Sequence, residues 1–304
     1  MISIIAPILL LVLVGVFLGH LRFLGPAFSG DLNKLVFWVA LPALLFRSVA
    51  HAEHPGPQTF ALLALLVTAT LIGAVAGWIV AGLLHLPQTS RGTLSQSAFR
   101  GNLAYIGIPV LAYAFEGMPG EAFATAVIVL AFLMAVYNIL AVVVLSMGHP
   151  VKNPVGTALR SIFTNPLLLA GMAGVPLALT RTPLPLFLDR TLESLGGAAV
   201  PIALLCIGGS LAHARVGEKI GGIVAASLLK TLFLPAAVYF LSPLFGIVGT
   251  DLRIALVLST CPTAAAAFVM ARQMNGDEPL ASGSIVLSTI FSAATIPLAL
   301  FLSK

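Results

Sequence analysis

The chain has 304 residues, with 15 lysines and arginines against 10 aspartates and glutamates, a net charge of +5; yet only 8% of its residues are charged and 59% are hydrophobic. A mean hydropathy of +1.09 and recurrent apolar runs of about 20 residues exclude an ordinary soluble domain, about a quarter of which is charged, and define an all-α polytopic membrane protein. The basic residues stand singly at the ends of apolar runs, which reads as membrane topology and not as a nucleic-acid surface.

Apolar runs bounded by glycine, proline and charged residues predict ten transmembrane helices. The first half holds Ile2 to Gly19, Leu32 to Ala50, Thr59 to Leu84, Leu94 to Phe115 and Ala122 to Met147. The second holds Ile162 to Leu179, Leu192 to Ala212, Ile220 to Phe245, Leu252 to Ala271 and Leu280 to Leu302. The first run has no basic segment ahead of it and many similar spans after it, so it is expected to stay in the membrane and not to leave as a signal peptide. Between the halves, His149 to Asn165 carries Lys152, Arg160, Pro150 and Pro154 but no acid. The expected organisation is a first five-helix repeat over 1–148, a cytoplasmic linker over 149–161 and a second repeat over 162–304.

The halves look like copies. Pro7 and Pro166 open the first span of each half and Pro42 and Pro201 interrupt the second, both pairs 159 residues apart. Glu121 and Glu278, and the tripeptides starting at Ile128 and Ile285, agree at an offset of 157, whereas Pro109 and Pro262 are 153 apart. Five spans is an odd number, so the second copy must enter the bilayer inverted. With the N-terminus outside, the inner loops hold Arg22, Lys34, Arg91, Lys152, Arg160, Arg215, Lys219 and Arg272. The outer segments hold Arg47, Arg181, Arg190, Arg253 and Lys304, so the positive-inside rule favours both termini outside.

Two spans carry breakers or polar residues near their middle. In the fourth, Asn102 precedes Pro109 by seven residues, with Gly107 between them. In the ninth, Ser259, Thr260 and Thr263 surround Pro262, and Ala264 to Ala267 follow. Proline frees backbone groups at membrane depth, and these survive only when a neighbour or a protein-walled cavity satisfies them. Interrupted spans at matching positions of two halves point to a transporter's binding site, where half-helix N-termini face an anion. The amide of Asn102 suits a carboxylate, or else it bonds a neighbouring helix. The hydroxyls of Thr260 and Thr263 either contact a substrate or cap freed carbonyls.

Lys230 lies about 16 Å along its helix from Lys219, near mid-bilayer by position. A cation there costs at least ~2.5 kcal/mol to insert, so it faces an aqueous cavity or a partner. No Asp or Glu lies at comparable depth in any span. An anionic substrate or helix carbonyls can fill that role. Arg100, only about six residues inside its expected span, can snorkel to the surface, and Asn138 in the fifth span serves binding or packing. The absence of a carboxylate beside either break argues against coupling through one.

The stretch Asn102-Leu-Ala-Tyr-Ile-Gly-Ile-Pro-Val-Leu111, with Pro262 followed by Phe268-Val-Met-Ala-Arg272 and an apolar last span, resembles the auxin efflux carrier family in its short bacterial form. The resemblance spans essentially the whole chain. It implies two inverted repeats in which spans four and nine cross at their prolines, transport and scaffold domains each built from both repeats, and a homodimer in the bacterial inner membrane. It further implies elevator-type export of small organic anions such as carboxylates, with Asn102, Tyr105, Gly107, Ile108, Pro109, Pro262 and the crossover backbone at the substrate. The plant members' long central loop and an asparagine beside the second proline are both missing here, which argues against auxin itself.

Three rival functions remain. A sodium- or proton-coupled organic acid importer on a fold like that of the bile acid symporters would need a coupling ion. An intramembrane enzyme would need a catalytic set, but there is no HExxH and no acid pair at depth, and His51-Ala-Glu-His54 lies beside Pro55 and Pro57 in an expected solvated loop. A sensor would need an output domain. The cysteines, Cys206 and Cys261, sit in separate spans without metal-site spacing, so no cofactor, metal or disulfide is expected.

Overall fold

The structure is a computed structural model, describing residues 2–51, 57–115, 120–148, 156, 159, 163–212 and 219–303. Among the described residues all regular elements are helical. They run α1 (Ile2–His20), α2 (Pro26–Leu35), a π-helical turn (Val36–Ala40), α3 (Leu41–Ala50) and α4 (Pro57–Leu83). Next come α5 (Gln88–Phe99), a second π turn (Leu103–Gly107), α6 (Ile108–Ala114) and α7 (Gly120–Gly148). The second half continues with α8 (Pro166–Thr180), α9 (Leu186–Ala212), α10 (Ile220–Leu228), a third π turn (Leu229–Phe233) and α11 (Leu234–Leu241). A 3₁₀ turn (Ser242–Phe245), α12 (Gly249–Thr260), α13 (Ala265–Gln273) and α14 (Glu278–Leu302) complete it. Most of the 149–161 linker, and Ala52 to His54 of the paired histidine segment, lie outside the described residues.

Six helical stretches among the described residues are long and apolar enough to cross a bilayer: Ala27–Ala50, Gln58–Leu83, Ala122–Met147, Leu186–Gly209, Ile220–Phe245 and Glu278–Leu302. Shorter apolar helices cover Leu10–His20, Leu103–Ala114 and Leu169–Thr180. The chain is therefore an integral membrane protein.

Proline shapes these helices differently from the sequence expectation. Each π turn is followed at once by a helix whose second residue is proline: Pro42, Pro109 and Pro235. A proline offers no N–H and its ring collides with the carbonyl four residues back, so widening the preceding turn to π spacing lets the axis continue without a clash. Pro42 thus does not interrupt its span, and Pro201 stays inside the continuous α9.

The chain divides into two compact units, each drawing on both halves of the sequence. The first unit comprises Met1–Thr59, Ala104–Phe132 and Phe163–Ala214. Its helices pack through glycines, as expected where lipid removes the hydrophobic drive and close backbone approach supplies dispersion. Gly15 and Gly19 of α1 face Gly208 and Gly209 of α9, while Gly196 meets Leu44. Arg47 of α3 forks onto Asp189 of α9 at 2.8 and 3.1 Å, with His51 3.5 Å and Glu193 3.6 Å from the same pair.

The second unit comprises Phe60–Leu103, Leu133–Ile162 and Arg215–Lys304. Ala81, Leu94, Ile223, Ala226 and Leu280 form part of its core. Gly77 lies on Ser95, and Gly92 on Val144 and Leu145. One end is tied by Asp277, the N-cap of α14. Its Oδ1 accepts from the Leu280 amide, and its Oδ2 accepts from Lys219 at 2.6 Å and Ser90 at 2.5 Å. Burial would raise this carboxyl, but the Lys219 and Ser90 bonds outweigh it and hold the group below the usual carboxylate range.

Two outcomes are expected. Gly208→Ala drives a methyl into the Val12 carbonyl and the Gly15 backbone, lowering stability by about 1–3 kcal/mol. Gly197→Ala, which meets nothing, is harmless, and thermal unfolding in detergent compares the two. Asp277→Ala removes the cap and the ion pair, costing about 1–3 kcal/mol. Because the folded-state carboxyl is depressed, that advantage of the native chain is full above the unfolded value near pH ~4. It shrinks as the pH falls further, which unfolding curves between pH 3 and 7 will record.

Candidate functional site

The site forms where two helices stop. Helix α5 ends at Phe99, and Arg100 turns to an extended backbone with φ −74° and ψ 94°. Helix α12 ends at Thr260, and Cys261, forced out of the helical region by the following Pro262, is extended at φ −52° and ψ 135°. The first break therefore falls at Arg100–Asn102 and not at Pro109, which occupies the first turn of α6, where a missing N–H costs nothing.

The two extended segments pair. Gly101 and Thr263 form an antiparallel bridge, in which the Asn102 amide donates to the Pro262 carbonyl at 2.7 Å and the Ala264 amide to the Arg100 carbonyl at 2.8 Å. The Thr263 amide donates to Ser288 Oγ of α14 at 3.0 Å, and its hydroxyl to the Ser97 carbonyl of α5 at 2.8 Å. Gln96 adds a bond from Nε2 to the Ala267 carbonyl at 2.9 Å. Backbone groups freed by one break are thus satisfied by the other, and several crossover amides are already engaged.

Two cations flank this junction. Lys230, on the third π turn, is fully buried and donates to the Ser259 carbonyl at 2.5 Å. A side chain on Gly101 would lie 3.4 Å from the Lys230 Cε. Arg100 is 6% exposed and donates to Asn138 Oδ1 at 2.5 Å, to Met270 Sδ at 2.9 Å and to the Tyr137 carbonyl at 3.4 Å. Among the described residues neither cation has a carboxylate partner.

Of the residues singled out in the sequence, Asn102, Asn138, Lys230, Thr260, Pro262 and Thr263 fall in this second unit. Asn102 is half-buried; Thr260 is buried and turns its hydroxyl back to Leu256, capping its own helix. Asn138 receives the Arg100 guanidinium. Tyr105, Gly107, Ile108 and Pro109 belong to the first unit, where the Tyr105 ring stacks on Phe37 at 6.4 Å and its hydroxyl donates to the Asn33 carbonyl at 3.1 Å.

Sequence reasoning missed Gln96, Ser97 and Ser288, which brace the junction, because single hydroxyl and amide residues within a helix carry no periodic signal of their own. It also placed Arg100 too near a surface. Helix α5 begins at Gln88, ahead of the apolar run, and from Gly92 to Phe99 every residue is buried.

A helical membrane protein whose broken helices meet at a polar junction flanked by buried cations has features of a membrane transporter, and comparison with known proteins finds a transporter family. Residues 1–157 and 149–300 match the membrane transport protein family. The chain belongs to that family, the auxin efflux carriers. A Methanothermobacter thermautotrophicus protein named "Uncharacterized transporter" is 28% identical over 96% of this chain and 94% of its own length. Another from Methanocaldococcus jannaschii is 26% identical over 96% and 95%. A Rhizobium meliloti protein named "Putative malonate transporter" is 28% identical over 90% and 87%.

Ser288→Ala strands the buried Thr263 amide and is expected to lower stability by about 1–3 kcal/mol. Ser292→Ala, whose hydroxyl bonds only its own helix, serves as the control in the same unfolding assay.

Proposed function

We propose that the protein exports small organic anions, carboxylates in the first instance, by elevator-type alternating access. The observation that carries this is the half-buried Asn102 at a backbone junction with the buried Lys230 close by, in a unit where among the described residues no acid is placed to neutralise that lysine. Asn102 and the crossover backbone hold the carboxylate, with Thr260, Pro262 and Thr263 shaping its seat, and Lys230 balances its charge. The Rhizobium relative's name supports a carboxylate. Asn138, committed to Arg100, acts indirectly.

The proposed frame has ten spans in two inverted five-helix repeats, with spans four and nine crossing at the junction. The second compact unit is the transport domain and the first, with Tyr105, Gly107, Ile108 and Pro109, the scaffold. Both termini lie outside a bacterial inner membrane, and the carrier is a homodimer. An inside-negative potential contributes ~2.3 kcal/mol per unit charge per 100 mV towards anion exit, so uncoupled efflux is thermodynamically sufficient.

Purified protein in detergent, screened by thermal shift against mono- and dicarboxylates, indoles and amino acids, tests this. A carboxylate is expected to raise the melting temperature in a dose-dependent, sodium-independent way, and Asn102→Ala to abolish the shift. Stabilisation only in sodium would replace the export carrier by a sodium-coupled importer.

A further inference from the structure

Both junction cations are anchored inside one compact unit. Arg100 bonds Asn138, Tyr137 and Met270, and Lys230 bonds Ser259, all within the second unit and all through neutral acceptors. The described acids of that unit are Asp251, Asp277 and Glu278, and each sits at a helix start: Asp251 in the first turn of α12, Asp277 capping α14 and Glu278 opening it. Asp277 is already taken by Lys219. Among the described residues no acid bonds either cation, and the side-chain bonds given above all stay within the unit.

We propose that Arg100 and Lys230 are fixed positive charges of the moving unit, so that the empty carrier is the electrically charged species and its return is the voltage-sensing step. This rests on the elevator-type anion carrier proposed above. When an anion binds, each carboxylate cancels one of the two charges, so the loaded unit crosses the field with one of them left for a monocarboxylate and none for a dicarboxylate. After release outside, the unit regains the charge that the anion had cancelled. An inside-negative potential then pulls it back to face the cytoplasm, which resets the carrier for export. A charge crossing the whole of a 100 mV field shifts such an equilibrium roughly 50-fold, so even a partial crossing biases the orientation of the empty carrier strongly. Arg100 acquires a role distinct from substrate contact: its guanidinium stays charged under all physiological conditions and rides with the unit.

The test needs no substrate. The full-length protein, reconstituted at high density in a planar or solid-supported membrane, is subjected to voltage steps in buffer free of organic anions, and displacement currents are integrated. The native protein is expected to give a saturating transient charge, equal on and off the step, that a protein-free membrane lacks. Lys230→Gln is expected to reduce the charge per folded molecule by about half and Lys230→Arg to restore it. Arg100→Gln and Arg100→Lys are expected to behave as the second such pair, with folded protein quantified by size exclusion and thermal unfolding. Absence of substrate-free charge movement in the native protein overturns the proposal without reference to any variant, as does unchanged charge in both glutamine variants. Because no ligand enters the recording, its failure is separate from failure of the thermal-shift screen, which bears on the anion site itself.

Discussion

A backbone that leaves the helix inside a packed interior must find partners for its N–H and C=O groups, since a buried polar group left unpaired is costly. Here the two places where that happens solve the problem jointly. Arg100 to Asn102 and Pro262 to Ala264 pair edge to edge, and each supplies the acceptor that the other's amide lacks. The rest of the second unit serves this pairing. Ser97 and Ser288 hold Thr263 from two sides, Gln96 fixes the first turn of α13, and the missing side chain of Gly101, where a Cβ would meet Leu103 at 3.1 Å, leaves room for the approach. Removing either break would leave the other with orphaned groups, so the two interruptions stand or fall together.

The pairing also explains why strong charges sit so deep. Extended backbone at the end of a helix presents carbonyls that no longer point at an amide within that helix, and a lysine ammonium can use them. Lys230 takes the carbonyl of Ser259, one of the last residues of α12, which carries the negative end of that helix's dipole. Arg100 leaves its own carbonyl to Ala264 and sends its side chain to Asn138 and Met270, so one residue ties α7 and α13 to the junction. A neutral anchoring shell of this kind holds a cation in place without cancelling it.

Much of this was legible in the sequence, and the rest was hidden for identifiable reasons. Pro262 announces its break because the residue before a proline is pushed out of the helical region in any context. Pro109 does not mark its break, because a proline in a helix's first turn is undemanding, and the true interruption lies at Arg100 to Asn102, where no residue type demands it. Pro42 and Pro201 looked alike at matching positions, yet one follows a π turn and the other lies within an unbroken helix. Lys230 was recognisable as a buried cation from its depth and the lack of acids. Arg100 was not, since the polar residues from Gln88 to Thr93 concealed the start of its helix and so its depth. Nor does the spacing of Asn138 reveal that its carbonyl is committed to a guanidinium.

That same polar helix bears on how the chain is made. The sequence of α5, from Gln88 to Phe99, is too rich in Ser, Thr and Gln to partition into lipid by itself, yet most of it ends fully buried. Its partners arrive late: Gln96 awaits a carbonyl 171 positions further on, and Ser90 awaits Asp277. At a synthesis rate of roughly 5–20 residues per second, that interval is about 10–35 s. For that time α5 must be sheltered by neighbours already in place, such as Ala74 beside Ser95, or by the insertion machinery. The second unit is completed only when the last helices slide in against a segment that has been waiting for them.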